Sequence, residues 1–117
     1  MMNIKNYPDS IDLLDFFDSE PVFIDLSSGT YSYQVTDCLG INVTFTFSVV
    51  EGWISAEVKI GDKKIQYFIV EGVSEFSIVK DVMAKYISVK TLSIDRECKV
   101  ELKIKPNIIL NISSIIR

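Results

Sequence analysis

Four aspartates that recur every third residue, Asp9, Asp12, Asp15 and Asp18, are the side chains with the clearest chemical potential. Two carboxyl groups about 5 to 10 Å apart can divide acid and base roles between them, as in glycoside hydrolysis. Carboxylates also bind calcium, but the sequence has no EF-hand loop. Acids at this spacing on an exposed helix face are more often solvated surface charge. The carboxylates therefore leave catalysis, recognition and plain surface charge open.

The sequence contains no histidine and only two cysteines, Cys38 and Cys98. Histidine is the commonest general base and metal ligand, so Ser-His-Asp and Cys-His catalysis are excluded within this chain. Two distant cysteines without histidine cannot form a structural zinc site alone. We interpret them as free thiols, Cys38 in a turn and Cys98 on the inward face of a strand. We predict a protein that is not an enzyme, with no catalytic residues, no metal site and no cofactor.

The aspartates must be positioned by the one good helix candidate, residues 9–18, which Asp9 or Ser10 can cap and Pro21 ends. At about 100° per residue, one side of this helix is apolar and the other acidic. The apolar side is predicted to hold Leu13, Leu14 and Phe17. Phe16 falls on the acidic side, where an aromatic anchor inside an anionic rim would concentrate binding energy. The alternative is that Phe16 packs against a neighbouring strand.

The remainder of the chain alternates apolar and polar residues with the period of strands, as at residues 31–36, 41–49, 54–60 and 98–104. Further strands are predicted at residues 64–70, 76–80, 86–92 and 108–112, with turns at Gly40, Gly52, Gly61 and Gly72. We predict an α+β, mainly β fold in a single domain spanning residues 1–117. In it an N-terminal helix precedes an antiparallel meander of about 6–8 strands, folded as a sandwich or a strongly curled sheet.

Charge is divided along the chain. Residues 1–57 hold nine acids and a single base, Lys5, whereas residues 58–117 hold seven acids and eleven bases, so the formal net charge is −4. A one-signed surface steers partners of opposite charge and repels polyanions. We therefore expect a cationic protein or peptide as partner, and neither nucleic acid nor membrane. With no secretory signal and no long apolar stretch, a cytoplasmic location is predicted.

Trp53, the single tryptophan, starts a predicted strand and either faces outward or covers the edge of the core. An exposed tryptophan is a candidate hot spot for binding. Together with the acidic helix side and the residue that follows it, this gives a predicted partner-binding set. Its members are Asp12, Asp15, Phe16, Asp18, Glu20 and Trp53.

Three segments carry a resemblance to a known family: YSYQVTD at residues 31–37, FSVVEGWI at 47–54 and EGVSEF at 71–76. In these segments, and in its small size and acidity, the chain resembles bacterial immunity proteins of the contact-dependent growth inhibition or polymorphic-toxin type. The resemblance implies a cytoplasmic protein that binds and neutralises the C-terminal domain of a cognate toxin, without catalysis of its own. Many such toxins are nucleases.

Two alternatives to that function stay open. One is a non-catalytic β-rich module that binds a ligand or joins an assembly, which a deep apolar pocket would favour. The other is an enzyme with paired carboxylates in a cleft.

Overall fold

The computed structural model describes residues 3–82, 84–91 and 96–116, and within this part of the chain it contains one helix and nine strands. The side chains of residues 96–98 and 114–116 are outside the description, and the prediction for Cys98 falls among them. The elements are α1 (Ser10–Phe17), β1 (Phe23–Asp25), β2 (Thr30–Thr36), β3 (Ile41–Ser48), β4 (Trp53–Ile60), β5 (Lys63–Glu71), β6 (Val73–Lys80), β7 (Lys85–Thr91), β8 (Arg96–Lys103) and β9 (Ile109–Ile116).

An aspartate caps the helix α1 at each end. The Asp9 carboxylate accepts a hydrogen bond from the backbone N–H of Asp12 at 2.8 Å, which satisfies one of the unpaired donors of the first turn. At the other end Asp18 adopts a left-handed conformation, φ 55°, and its N–H donates to the carbonyl of Leu14 at 2.7 Å. The predicted helix is therefore confirmed, and it ends at this left-handed residue, before Pro21.

The side of α1 that faces the core differs from the prediction. Leu13, Phe16 and Phe17 are buried, whereas Leu14 is 40% exposed. Residues three and four positions apart share one helix face. Two apolar stripes of equal width are therefore possible, both with Leu13 and Phe17, and the third member is either Phe16 or Leu14. Tertiary packing decides between them. Phe17 stacks on Tyr33 of β2 with ring centroids 4.7 Å apart, and Phe16 meets Phe17 edge to face at 5.0 Å.

The strands form two antiparallel sheets, each connected as a meander in chain order. The first sheet has the order β1-β2-β3-β4-β5 and the second the order β6-β7-β8-β9. The chain passes from one sheet to the other through Gly72, whose φ of 69° favours glycine. The predicted mainly β fold with an N-terminal helix is confirmed. The three-residue strand β1 was missed because it is too short to show alternation.

One apolar core is shared by both sheets and the helix. Phe45 and Phe47 of β3 contact Phe76 of β6, with ring centroids 5.8 and 4.9 Å apart, and all three side chains are almost completely buried. Aromatic pairs at these separations and tilts add attraction beyond the burial of apolar surface. Phe76 is therefore a principal contact between the sheets.

The N-terminal segment, residues 4–6, connects the two sheets through its backbone. The N–H of Ile4 donates to the carbonyl of Val49, beyond β3, at 2.8 Å. The N–H of Lys5 donates to the carbonyl of Ser74 in β6 at 2.9 Å, and the Asn6 carbonyl accepts from Phe76 at 3.1 Å. Ile4 is 2% exposed. This segment therefore covers the free edge of β6 at its start, a role that no sequence pattern indicated.

Asp37 provides a second polar connection between the sheets, in the turn after β2. Its carboxylate accepts hydrogen bonds from the backbone N–H groups of Leu39 at 2.9 Å, Ile41 at 3.0 Å and Ile108 at 2.9 Å. Ile108 immediately precedes β9 of the other sheet. These bonds, with the one from Ile108 as the largest cause, hold the pKa of the Asp37 carboxyl below its usual value.

We expect the contribution of Asp37 to stability to disappear in acid. A carboxyl whose pKa is lower in the folded than in the unfolded protein stabilises the fold above its unfolded pKa, near 4. That stabilisation falls as the pH drops through the folded pKa. Urea unfolding of wild type and Asp37→Asn from pH 6 to pH 3 should therefore give free energies of unfolding that converge toward the acid end. Parallel curves would contradict this role.

Candidate partner-binding surface

The predicted site residues on α1 and just after it fall into two electrostatic groups. The Asp15 carboxylate pairs with the ammonium of Lys85 at 2.9 Å. The hydrogen bond and charge of Lys85, with smaller contributions from Lys80 and Lys105, lower the pKa of Asp15. Asp15 is therefore ionised, but bases of the second sheet offset much of its field.

Three other carboxylates of this region lie at the surface. Asp12, Asp18 and Glu20 are exposed, and within the described part of the chain their side chains form no ion pair. Glu20 lies near Tyr33, where its charge and, above all, burial of the phenol raise the pKa of Tyr33. We call Asp12, Asp18 and Glu20 the acidic surface. It runs along α1 and the chain that leaves it.

Phe16 does not belong to the exposed part of this surface. It is 4% exposed and lies beneath the helix, so the predicted exposed anchor is wrong and the alternative of packing inward is correct. The helix instead presents Ile11, which is 74% exposed, and Leu14. Ile11 precedes Asp12 in sequence and stands one turn from Asp15, so an apolar side chain does lie among the acids.

Trp53 lies on the opposite face of the first sheet from α1. It is the first residue of β4, half-buried, and its indole N–H donates to Glu51 Oε1 at 3.1 Å. Successive strand residues point to opposite faces of a sheet. The next residue, Ile54, is fully buried on the same face as Tyr33, the face on which Phe17 of the helix packs. The structure therefore does not bring Trp53 together with the acidic helix.

Folding also offsets acidic charge of residues 1–57 at a second place, in the first sheet. Glu57 of β4 pairs with Lys64 at 3.1 Å and Lys59 at 3.2 Å, and the hydrogen bond from Lys64 is the largest cause of its lowered pKa. Folding thus brings bases of the second half of the sequence against acids of the first half, at Glu57 in the first sheet as at Asp15 on α1.

Paired carboxylates were the remaining route to catalysis. Asp12 and Asp15 line one surface groove of about 370 Å³ together with Lys80. A general acid needs a raised pKa, whereas Lys85 lowers that of Asp15. Among the described residues no group of three or more acids or cysteines is arranged to hold a metal ion. Nor does any helix of that part of the chain have the length and apolarity to cross a membrane.

An exposed apolar segment next to Glu20 was missed by the sequence patterns. Four large side chains within residues 22–26 are more than half exposed: Val22, Phe23, Ile24 and Leu26. The signal was the apolar run after Pro21, interrupted by one acid, Asp25. It did not stand out because strand β1 is too short to give a period.

The comparisons with known proteins bear on the whole chain. No protein-family model and no curated protein matches the sequence. Among solved structures, the fold matches a chain of a contact-dependent growth inhibition toxin–immunity protein complex from Klebsiella pneumoniae 342. The TM-score is 0.94 at 38% sequence identity, and the match covers 97% of this chain and 100% of that chain. The chain therefore belongs to the family of bacterial immunity proteins of the contact-dependent growth inhibition type.

Proposed function

We propose that this protein binds the C-terminal domain of its cognate toxin in the bacterial cytoplasm and neutralises it, without catalysis of its own. The observation that carries the proposal is the match, over nearly the full length of both chains, to a chain of a toxin–immunity protein complex. An immunity function needs a protein surface that is complementary to the toxin and requires no reactive group.

The acidic surface supports a cationic toxin, and we propose a nuclease. Nuclease grooves are positive because they hold phosphates. Asp12, Asp18 and Glu20 present carboxylates without ion pairs in the described structure, next to a chain segment without bases. Such a surface would attract a positive groove at long range and compete with the phosphates for it.

The residues of the predicted set take different parts in this proposal. Asp12, Asp18 and Glu20 would face the toxin directly, whereas Asp15 would contribute a field reduced by Lys85. Phe16 would support the helix from beneath. Trp53 lies on the other face of the sheet and would be reached only by a toxin that also covers that face.

The direct test uses a candidate toxin, the C-terminal domain of a large secreted protein, which is sought in the reading frame immediately upstream and is called the upstream toxin domain below. The two proteins, purified separately and mixed, should elute together as one complex, and the domain should lose its cleavage of RNA or DNA as this protein is added to equimolar amounts. The matched control is the same titration with the charge-reversed variant described in the Discussion. Absence of complex formation would overturn the proposal, and binding with full residual cleavage would overturn neutralisation.

A further inference from the structure

The two edge strands of the first sheet, β1 and β5, differ in how they are protected. An exposed sheet edge can pair with another chain, and lysines on the edge are a common safeguard. The β5 edge exposes Ile65, Tyr67 and Ile69 but begins with Lys63 and Lys64. Lys64 lies over the Tyr67 ring at 5.4 Å and pairs with Glu57 at 3.1 Å. Charged side chains therefore cover part of the apolar surface of the β5 edge.

The β1 edge carries no lysine or arginine of its own. Val22, Phe23, Ile24 and Leu26 are 59%, 54%, 51% and 80% exposed, and no lysine or arginine occurs between Lys5 and Lys59. We call these four residues the edge patch. Exposed apolar side chains that are contiguous in this way mark interaction sites on soluble proteins.

The edge patch is apolar on both faces of the sheet. Phe23 pairs with Ser32 of β2, whose side chain lies on the outer face, and Ile24 pairs with Tyr31, whose ring contacts Phe47 in the core. The N–H of Val22 donates to the Ser32 carbonyl at 2.8 Å, which fixes the start of the strand. A partner could therefore enclose the edge from both sides without rearranging it.

Exposed carboxylates neighbour the edge patch in the sequence. Asp18 and Glu20 precede it, and Asp25 stands between Ile24 and Leu26. The Asp25 carboxylate accepts from the Ser27 hydroxyl at 2.7 Å and from the Ser27 N–H at 3.1 Å, and these bonds lower its pKa, so it is ionised at neutral pH. An exposed apolar segment that acids precede and interrupt is complementary to a cationic surface that has an apolar cleft.

We infer that the edge patch is the apolar centre of the toxin contact and that the toxin meets it with an apolar cleft bordered by lysines or arginines. This inference rests on the proposed function and adds to it the residues that provide affinity. Binding energy concentrates in desolvated apolar anchors, whereas rim charges mainly set the association rate. The acidic surface would steer the toxin, and the edge patch would hold it.

The test compares two matched double variants by calorimetric titration with the upstream toxin domain. Ile24→Ala with Leu26→Ala removes two aliphatic side chains from the edge patch. Ile65→Ala with Ile69→Ala removes two from the β5 edge, where each is 50% exposed. We expect the first variant to raise the Kd roughly tenfold to a hundredfold and the second to leave it within about twofold.

A second measurement covers the case in which the first variant folds poorly. Hydrogen exchange of the wild-type complex should show the amides of residues 22–26 slowed by the toxin domain, with those of β5 unchanged. Unchanged Kd in the edge-patch variant, or slowing at β5 instead of residues 22–26, would overturn the inference while leaving the proposed function intact. Absence of any binding by the wild type would overturn both.

Discussion

Replacing Asp12 and Glu20 together by lysine should slow association with the toxin domain about tenfold to a hundredfold at low ionic strength. Both carboxylates are exposed and form no ion pair within the described structure, so each substitution reverses a charge without breaking a salt bridge. Asp15 is left in place because Lys85 already offsets it, and Asp18 because its left-handed backbone suits aspartate better than lysine. The association rate should also lose most of its dependence on salt.

The matched control reverses Asp62 and Glu71, which are exposed at the two ends of β5. Both double variants change the formal charge by the same amount, from −4 to zero, because two acids become two lysines in each. Stopped-flow association at 20 to 300 mM salt separates the position of the charge from its total. Equal slowing by both variants would mean that net charge alone steers the toxin. Unchanged kinetics in the Asp12 and Glu20 variant would place the contact elsewhere.

Phe76→Ala should destabilise the fold by about 3 to 5 kcal/mol, the usual cost of removing a buried aromatic ring from a core. Phe76 is 2% exposed, and its ring contacts Tyr7, Phe45 and Phe47. Phe76 belongs to the second sheet, and its ring packs against the first. The substitution would therefore leave a cavity between the sheets that side chains of one sheet alone could not fill. Urea unfolding at neutral pH gives the free energy directly.

The control for this prediction is Phe23→Ala, which removes the same ring from a position that is 54% exposed. We expect its free energy of unfolding to stay within about 1 kcal/mol of wild type, because surface truncations remove few contacts. The effects on toxin binding should have the reverse order, so that Phe23→Ala weakens binding more than Phe76→Ala does. A loss below about 1 kcal/mol for Phe76→Ala would contradict the shared core.

The strands and turns of this fold were predictable because they depend on local patterns. Alternation such as that of Val43, Phe45 and Phe47 in β3 persists over a whole strand, and a one-residue error would expose the entire buried set. The turns at Gly40 and Gly61 needed residues that tolerate positive φ, and both glycines adopt it. These signals do not depend on which sheet a strand joins.

The features that were missed depend on contacts between distant segments. The helical period alone does not decide whether Phe16 or Leu14 is buried, and only the folded structure shows Phe16 at 4% and Leu14 at 40% exposure. Residues 4–6 have no period, and their place follows from the edge of β6. β1 has three residues, fewer than a pattern requires.

The sequence predicted which segment holds the candidate site but not which of its side chains are exposed together. The acids of α1 were identified from their spacing, and the absence of bases around them was plain in the sequence. The pairing of Asp15 with Lys85 joins residues 70 positions apart, and the separation of Trp53 from the helix is a consequence of strand orientation. Neither could follow from composition.

The central claim, that this protein neutralises a toxin, is tested most directly by growth. Cells that express the upstream C-terminal domain from an inducible promoter should stop dividing, and cells that also express this protein should grow at the rate of uninduced cells. Co-expression of the Asp12 and Glu20 charge-reversed variant at the same level should protect less. Growth arrest that is equally complete with and without the wild-type protein, at confirmed expression of both, would contradict the account.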